Sequence, residues 1–196
     1  IIINSPENPT GGVLERGQLE RIAVIACERS IPVLADEIYR QFLYEGEFVS
    51  MMGLPGMRDL TILLDGFSKS YAMTGWRLGY GVMPRALAEH VTRLMVNSVS
   101  CTASFVQWAG IAALEGDQTP VSRMVAEFKL RRDIFVEGLN RLPGVTCARP
   151  RGAFYAFPNI TGTGRPSGEV AERLLDEAGV AALSGTAFGA HGEGYL

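Results

Sequence analysis

Three short apolar runs, each breaking into a polar, turn-forming stretch, constrain the fold more than any other feature of the chain. They are Ile1-Ile-Ile3, Val33-Leu-Ala35 and Leu60-Thr-Ile-Leu-Leu64. Runs of that length, bounded by turn signals, read as buried strands. Between the first two lies Glu15 to Arg29, with Leu19, Ile22, Ala23, Ile25 and Ala26 at helical spacing, which predicts an amphipathic helix packed on the sheet. The 28 positions from Asn8 to Asp36 leave room for one helix between two parallel neighbouring strands. A mostly parallel α/β sheet is the consequence, and such sheets place their chemistry in the crevice beyond the strand ends.

The segment just beyond each strand is therefore of most interest. Asn4-Ser-Pro-Glu-Asn8-Pro9-Thr10-Gly11 succeeds the first, and its prolines and glycine demand a turn. Asp36-Glu-Ile-Tyr39 succeeds the second, and a carboxylate at the end of a buried strand is costly unless it is paired. Glu37 is expected to be a satisfied structural carboxylate. Asp65-Gly-Phe-Ser-Lys69 succeeds the third. An amine held there among small and bulky apolar residues is partly desolvated, which disfavours its charged form and frees it to attack a carbonyl. Eight residues on, Arg77 offers a planar, permanently charged fork suited to a phosphate.

Farther along, Tyr44 to Arg58 reads as a surface loop and Leu78 to Met83 as another strand. Pro84 opens a helix to about Val96, with His90 on a solvated face. Ala103 to Leu114 is expected to pack inward, with Trp108 in the core. Glu115-Gly-Asp-Gln-Thr-Pro120 marks the best boundary, dividing residues 1–115 from 116–196. Beyond it the spacing predicts a long charged helix from about Pro120 to Arg141, with Val125, Phe128, Ile134, Phe135 and Leu139 on its buried edge. Strands at Val145–Ala148, Gly152–Phe157 and Val180–Leu183, and a helix at Ser167–Ala178, complete a second, smaller unit in which His191 is a loop residue.

Composition excludes several partners. A net charge of −3 gives no reason to expect nucleic acid or an anionic membrane. No stretch approaches the ~20 apolar residues of a membrane span. Cys27, Cys101 and Cys147 are odd in number and widely spaced, without a CxxC pair, which suggests neither a disulfide framework nor zinc and fits a reducing cytoplasm.

Gly66-Phe-Ser-Lys69, Ala72-Met-Thr-Gly75 and Arg77-Leu-Gly79, taken with Asn8-Pro-Thr-Gly11 and the Asp36-x-x-Tyr39 spacing, resemble the signature of class I/II, fold-type I aminotransferases. The motifs Pro150 to Phe157 and Phe188 to Leu196 resemble that family's small domain. The resemblance covers the chain almost end to end. It implies an α/β three-layer sandwich with a mostly parallel sheet, one antiparallel strand at Leu78–Met83, and a smaller α+β C-terminal domain. It also implies pyridoxal 5′-phosphate as cofactor, held by Lys69 as a Schiff base. Asn8 and Tyr39 would face its phenolic oxygen, Asp36 its ring nitrogen, and Arg77, with Ser68 second, its phosphate. Gly66 departs from the serine often found three residues before the lysine, which puts that phosphate contact in doubt.

The activity so implied moves an amino group between an amino acid and a 2-oxo acid, with Lys69 also acting as the proton-transfer group, in a cytoplasmic homodimer that binds no nucleic acid and no membrane. A pyridoxal-phosphate β-lyase of the same fold keeps the same residues. An aminotransferase-like sensing domain of a transcription regulator is a further alternative. Ile1-Ile-Ile3 and Gly192 to Leu196 both read as strand interiors, so the chain is expected to be part of a protein about twice as long. An open sheet edge, an uncovered apolar face, weak cofactor affinity and no transamination by these residues alone are the corresponding expectations.

Overall fold

The computed structural model describes all 196 residues. Four strands, β1 (Ile2–Asn4), β2 (Val33–Asp36), β3 (Thr61–Gly66) and β4 (Gly79–Val82), form one sheet in that order. The pairs β1–β2 and β2–β3 are parallel, with Ile3 opposite Ala35 and Ala35 opposite Leu63. The last pair is antiparallel, with Asp65 opposite Tyr80. The architecture is α/β with a mostly parallel sheet and one reversed strand, as expected.

Five helices accompany it: α1 (Arg16–Arg29), α2 (Arg85–Ser98), α3 (Ser104–Glu115), α4 (Thr119–Leu139) and α5 (Ser167–Ala178). At the start of α1 the Gln18 side chain reaches back to accept from the Glu15 N–H at 2.8 Å, and at its end Ser30 turns left-handed with φ 51°. No helix is long and apolar enough to cross a membrane.

The main core lies where Leu19, Ala23 and Ala26 of α1 meet Val33 and Ala35 of β2. Met51, Leu54 and Met57 close this core and are at most 4% exposed. The 44–58 stretch is thus an inward-plugging segment and not the surface loop its Gly and Met content suggests. Burying three such side chains contributes roughly 1.5–3 kcal/mol each, enough to fold irregular backbone inward. Glu37 anchors the plug, accepting from the Ser50 hydroxyl at 2.9 Å and the Met51 N–H at 3.0 Å. It is the satisfied structural carboxylate expected of it.

Other expectations fail on coverage. Trp108 and Phe105 are 72% and 70% exposed, and α3 buries only Val106 and Gly110. In α1, Ile25 is exposed, and in α4 so are Ile134 and Phe135. Val125, Phe128 and Leu139 are half-buried, whereas Arg132 and Val136 are buried. Helical spacing identifies an apolar stripe but not whether another element covers it. The three expected C-terminal strands form no ladder. Isolated bridges join Leu43 to Gly152, Thr146 to Asn159 and Asn159 to Tyr195, and Val180–Leu183 is unpaired with both terminal side chains exposed. A strand needs a partner run at matching register, and these segments meet only single residues. The edge of β1 is open, with Ile2 78% exposed, and β4 is exposed throughout.

Candidate active site

Parallel pairing sets Asn4, Asp36 and Leu64 at one end of the sheet, so the segments beyond β1, β2 and β3 leave from a common edge. The first is clipped to the second. The Asn4 side chain and the Ser5 N–H both donate to the Asp36 carbonyl, at 3.2 and 3.3 Å, and the Asn8 N–H donates back to the Asn4 side chain at 2.8 Å.

A third segment from far along the chain completes the edge. Arg151 and Gly152 N–H groups donate to the Gly11 carbonyl at 3.0 Å, Ala153 N–H donates to the Phe42 carbonyl at 2.8 Å, and Tyr44 N–H donates to the Arg151 carbonyl at 3.0 Å. Contact is too close for side chains. A Cβ on Gly152 would lie 2.6 Å from Pro6 Cβ and 2.8 Å from the Phe42 carbonyl oxygen. Ala153 next to it is held left-handed at φ 55°, a conformation an alanine adopts only when its surroundings impose it. The result is an aromatic cluster in which Phe154 meets Tyr39, Phe42, Phe128 and Tyr155, with centroids 4.9–5.4 Å apart.

Lys69 points at that cluster. Its Nζ lies 5.8 Å from the Tyr39 ring centroid and 5.7 Å from that of Phe154, and it forms no ion pair. Tyr39 is buried and its hydroxyl meets that of Tyr155 at 2.5 Å. Burial first, then this hydrogen bond and the nearby Asp36 charge, push the Tyr39 phenol far above its ordinary value, while the adjacent Asn8 side chain opposes the shift. Asp36 is half-buried, and its carboxylate accepts one hydrogen bond, from the Ile38 N–H at 3.2 Å. Burial raises its proton affinity, the Ile38 contact lowers it, and the charge of Asp65 raises it further.

The structure thus brings Asn8, Asp36, Tyr39 and Lys69 together. Ser68 is half-buried beside Lys69 in the chain and makes no side-chain hydrogen bond. Arg77 stands apart in a left-handed turn at φ 53°, exposed, with a single guanidinium bond to the Thr74 carbonyl at 2.9 Å. With Trp76 and Tyr80 it forms part of the wall of a cleft of about 1290 Å³ bounded by β4, α2 and α3. Sequence alone does not single out Phe154, Tyr155 or Asp65. The glycine inside the aromatic run 152–157 was the available signal, since an interior glycine marks close backbone approach. Asp65 is buried, pairs with the Arg40 guanidinium at 2.6 Å, and accepts from the Tyr80 hydroxyl at 3.0 Å and the Gly66 N–H at 2.7 Å.

The family model for aminotransferase class I and II matches residues 1–196. The aspartate aminotransferase of Pyrococcus horikoshii is 44% identical over 198 residues, and the aromatic-amino-acid aminotransferase 2 of Thermococcus litoralis 41% over 199. Each match takes in 100% of this chain, against 50% and 51% of the relative. Among solved structures, an aromatic aminotransferase from Pyrococcus horikoshii superposes with a TM-score of 0.94 at 41% identity, covering 99% of this chain and 52% of that one. An aspartate aminotransferase from Thermotoga maritima gives 0.89 at 38%, covering 99% and 49%. The chain spans about half the length of the relatives it matches. From the sheet, the clustered strand-end residues and the match over every residue, the chain belongs to the class I and II aminotransferases.

Proposed function

We propose that the whole protein is a pyridoxal-phosphate-dependent aminotransferase that moves an amino group between an amino acid and a 2-oxo acid. The observation that carries this reading is Lys69, whose amine lies without a carboxylate partner against the Tyr39 and Phe154 rings, in one cluster with Asn8 and Asp36. The names of the relatives favour an acidic or an aromatic amino acid as substrate.

The residues present fit the cofactor by their chemistry. Asp36 keeps one carboxylate oxygen free of hydrogen bonds and has a raised proton affinity, which suits it to share a proton with a ring nitrogen. Asn8 and Tyr39 offer an amide and a phenol to a phenolic oxygen, and Lys69 offers its amine to an aldehyde. Arg77 is a charged fork with most of its donors unused, suited to a phosphate, and Ser68 is a second donor beside the lysine. When bound, pyridoxal phosphate supplies an electron sink conjugated to the substrate carbon. The Lys69 amine, once free, removes the proton from the substrate Cα and redelivers it as general acid. Asp36 holds a proton on the ring side throughout, and the Tyr39 and Phe154 rings wall one side of the amine.

Residues 1–115 form part of the cofactor-binding domain and 116–196 part of the small domain, a division supported by the turn between the end of α3 at Glu115 and the start of α4 at Thr119. The protein acts as a cytoplasmic homodimer. Exposed Trp76, Phe105 and Trp108 support association, since apolar surface of that kind is seldom left open in a monomer. Borohydride trapping of pyridoxal phosphate on the whole protein, followed by peptide mapping, tests the central assignment. Label is expected on Lys69, and label on Lys129, the other lysine of the chain, would overturn it.

A further inference from the structure

Tyr39 and Tyr155 lie 116 positions apart, yet their hydroxyls share a 2.5 Å hydrogen bond, with the rings edge to face at 82° and centroids 5.5 Å apart. Tyr155 shares a hydrogen bond with the Tyr39 hydroxyl, and the Asn8 side chain also reaches that oxygen as a donor and favours its ionised form. The backbone that carries Tyr155 is held firmly. Ala153 is pinned through its N–H to the Phe42 carbonyl and through its own carbonyl to the Tyr44 hydroxyl, and Gly152 fits against Pro6 with no space for a side chain.

We infer that Tyr155 is a positioning residue, which sets the direction in which Tyr39 presents its proton to an acceptor oxygen in the site. A phenol has one proton to donate and two lone pairs to accept with. With no acceptor on the site side, Tyr39 donates to Tyr155. When an anionic oxygen arrives there, the two O–H groups rotate together: Tyr39 donates to the incoming oxygen and Tyr155 donates to Tyr39. No bond to carbon changes and no net proton is transferred. The buried Tyr39 hydroxyl is partnered in both arrangements, so neither carries the cost of an orphaned polar group. In the second, the bond from Tyr155 polarises Tyr39 and strengthens its outgoing bond.

The role rests on the cofactor site proposed above, but one arm of its test is independent of that proposal. In protein labelled with [ζ-¹³C]tyrosine and free of cofactor, the Tyr39 resonance is identified by its loss in Tyr39→Phe. Tyr155→Phe keeps the ring and removes only the hydroxyl, so it should move that resonance at neutral pH. An unmoved resonance would overturn the pairing. In the second arm, pyridoxal phosphate is titrated into the whole protein and followed by absorbance. Tyr155→Phe should weaken binding by about fivefold, the worth of one hydrogen bond, and should have no effect in a Tyr39→Phe background. An equal loss in that background would show that Tyr155 acts independently of Tyr39 and sink the inference. Wild-type protein that binds no pyridoxal phosphate would overturn the cofactor reading, with the tyrosine resonance still deciding the role of Tyr155.

Discussion

Arg132 is the residue whose replacement tests the packing behind the site most directly. It sits on α4 with its side chain 5% exposed and donates to the Pro150 carbonyl at 2.8 Å. It also pairs with Asp133 at 2.8 Å and Glu45 at 3.1 Å, and its guanidinium lies 4.8 Å from the Tyr44 ring centroid. Arg132→Ala removes all four interactions, but their costs differ. Asp133 and Glu45 are 37% and 45% exposed and regain water, so the large penalty of a stranded buried charge does not apply to them. The Pro150 carbonyl is buried, and orphaning it costs about 1–3 kcal/mol. Losing the cation over Tyr44 adds about 0.5–2 kcal/mol. The expected loss is therefore about 1.5–5 kcal/mol, read from denaturant midpoints at unchanged slope. Asp133→Asn keeps an acceptor oxygen for the guanidinium and leaves Glu45 and the Pro150 carbonyl facing it, so it should cost under ~1 kcal/mol. An Arg132→Ala loss below ~1 kcal/mol, or an Asp133→Asn loss equal to it, would refute this division between buried and exposed partners.

Two further outcomes are expected. Burial, ahead of the lowering bonds from Ser50 and Met51, raises the Glu37 carboxyl above its ordinary range. An acid that binds its proton more tightly folded than unfolded favours the folded state at low pH, and that stability is lost as pH rises from the ordinary glutamate range through the raised value. Glu37→Gln, which keeps an acceptor oxygen for Ser50 and Met51, should flatten the unfolding-midpoint curve over that window, and an unchanged slope would count against it. Gly152→Ala should cost about 1–3 kcal/mol, because Pro6 and the Phe42 carbonyl both block the new methyl. In Gly110→Ala the nearest obstacle is the tip of the Leu78 side chain, so the loss should stay below ~1 kcal/mol, and equal midpoints for the two variants would contradict the contrast.

Much of the fold was legible because the sheet repeats a simple rule. A short apolar run, a turn and one helix-length interval placed β1, α1, β2 and β3 within a residue or two, and α5 fell on Ser167–Ala178 as expected. The clustering of the candidate residues was legible for the same reason, since Asn8, Asp36 and Lys69 each come after a parallel strand and must leave from one edge. What escaped depended on contacts between distant segments. Nothing local distinguishes Met51 and Met57, which are buried, from Trp108, which is exposed; the difference lies in whether α1 or open surface stands opposite. Arg132 is hidden for a related reason. A basic residue in a charged helix reads as solvated, until a buried carbonyl and an aromatic ring are brought to it from residues 150 and 44.

Asp36 and Asp65 show how the same contacts divide labour between identical side chains. Both stand at the end of a buried strand, in neighbouring strands, and apart from the Asp36-x-x-Tyr39 resemblance the local pattern does not distinguish them. Their surroundings do. Asp65 is paired with the Arg40 guanidinium and accepts hydrogen bonds from the Tyr80 hydroxyl and its neighbouring N–H, so its charge is compensated and its position fixed. That compensation is incomplete at a distance, and the residual field of Asp65 still raises the proton affinity of Asp36 and of Tyr80, the latter pushed up to about 12 mainly by burial. Asp36 has a single backbone donor and no cation of its own. A carboxylate left half-paired beside a fully paired one is the arrangement that keeps a strong proton acceptor available, because a second arginine at Asp36 would lower its proton affinity and use up the free oxygen. The pairing of Asp65 with Arg40 thus does more than close the sheet end that leads to Lys69: it lets a second carboxylate stand next to it without a counterion, poised toward the face where Tyr39 and Asn8 meet.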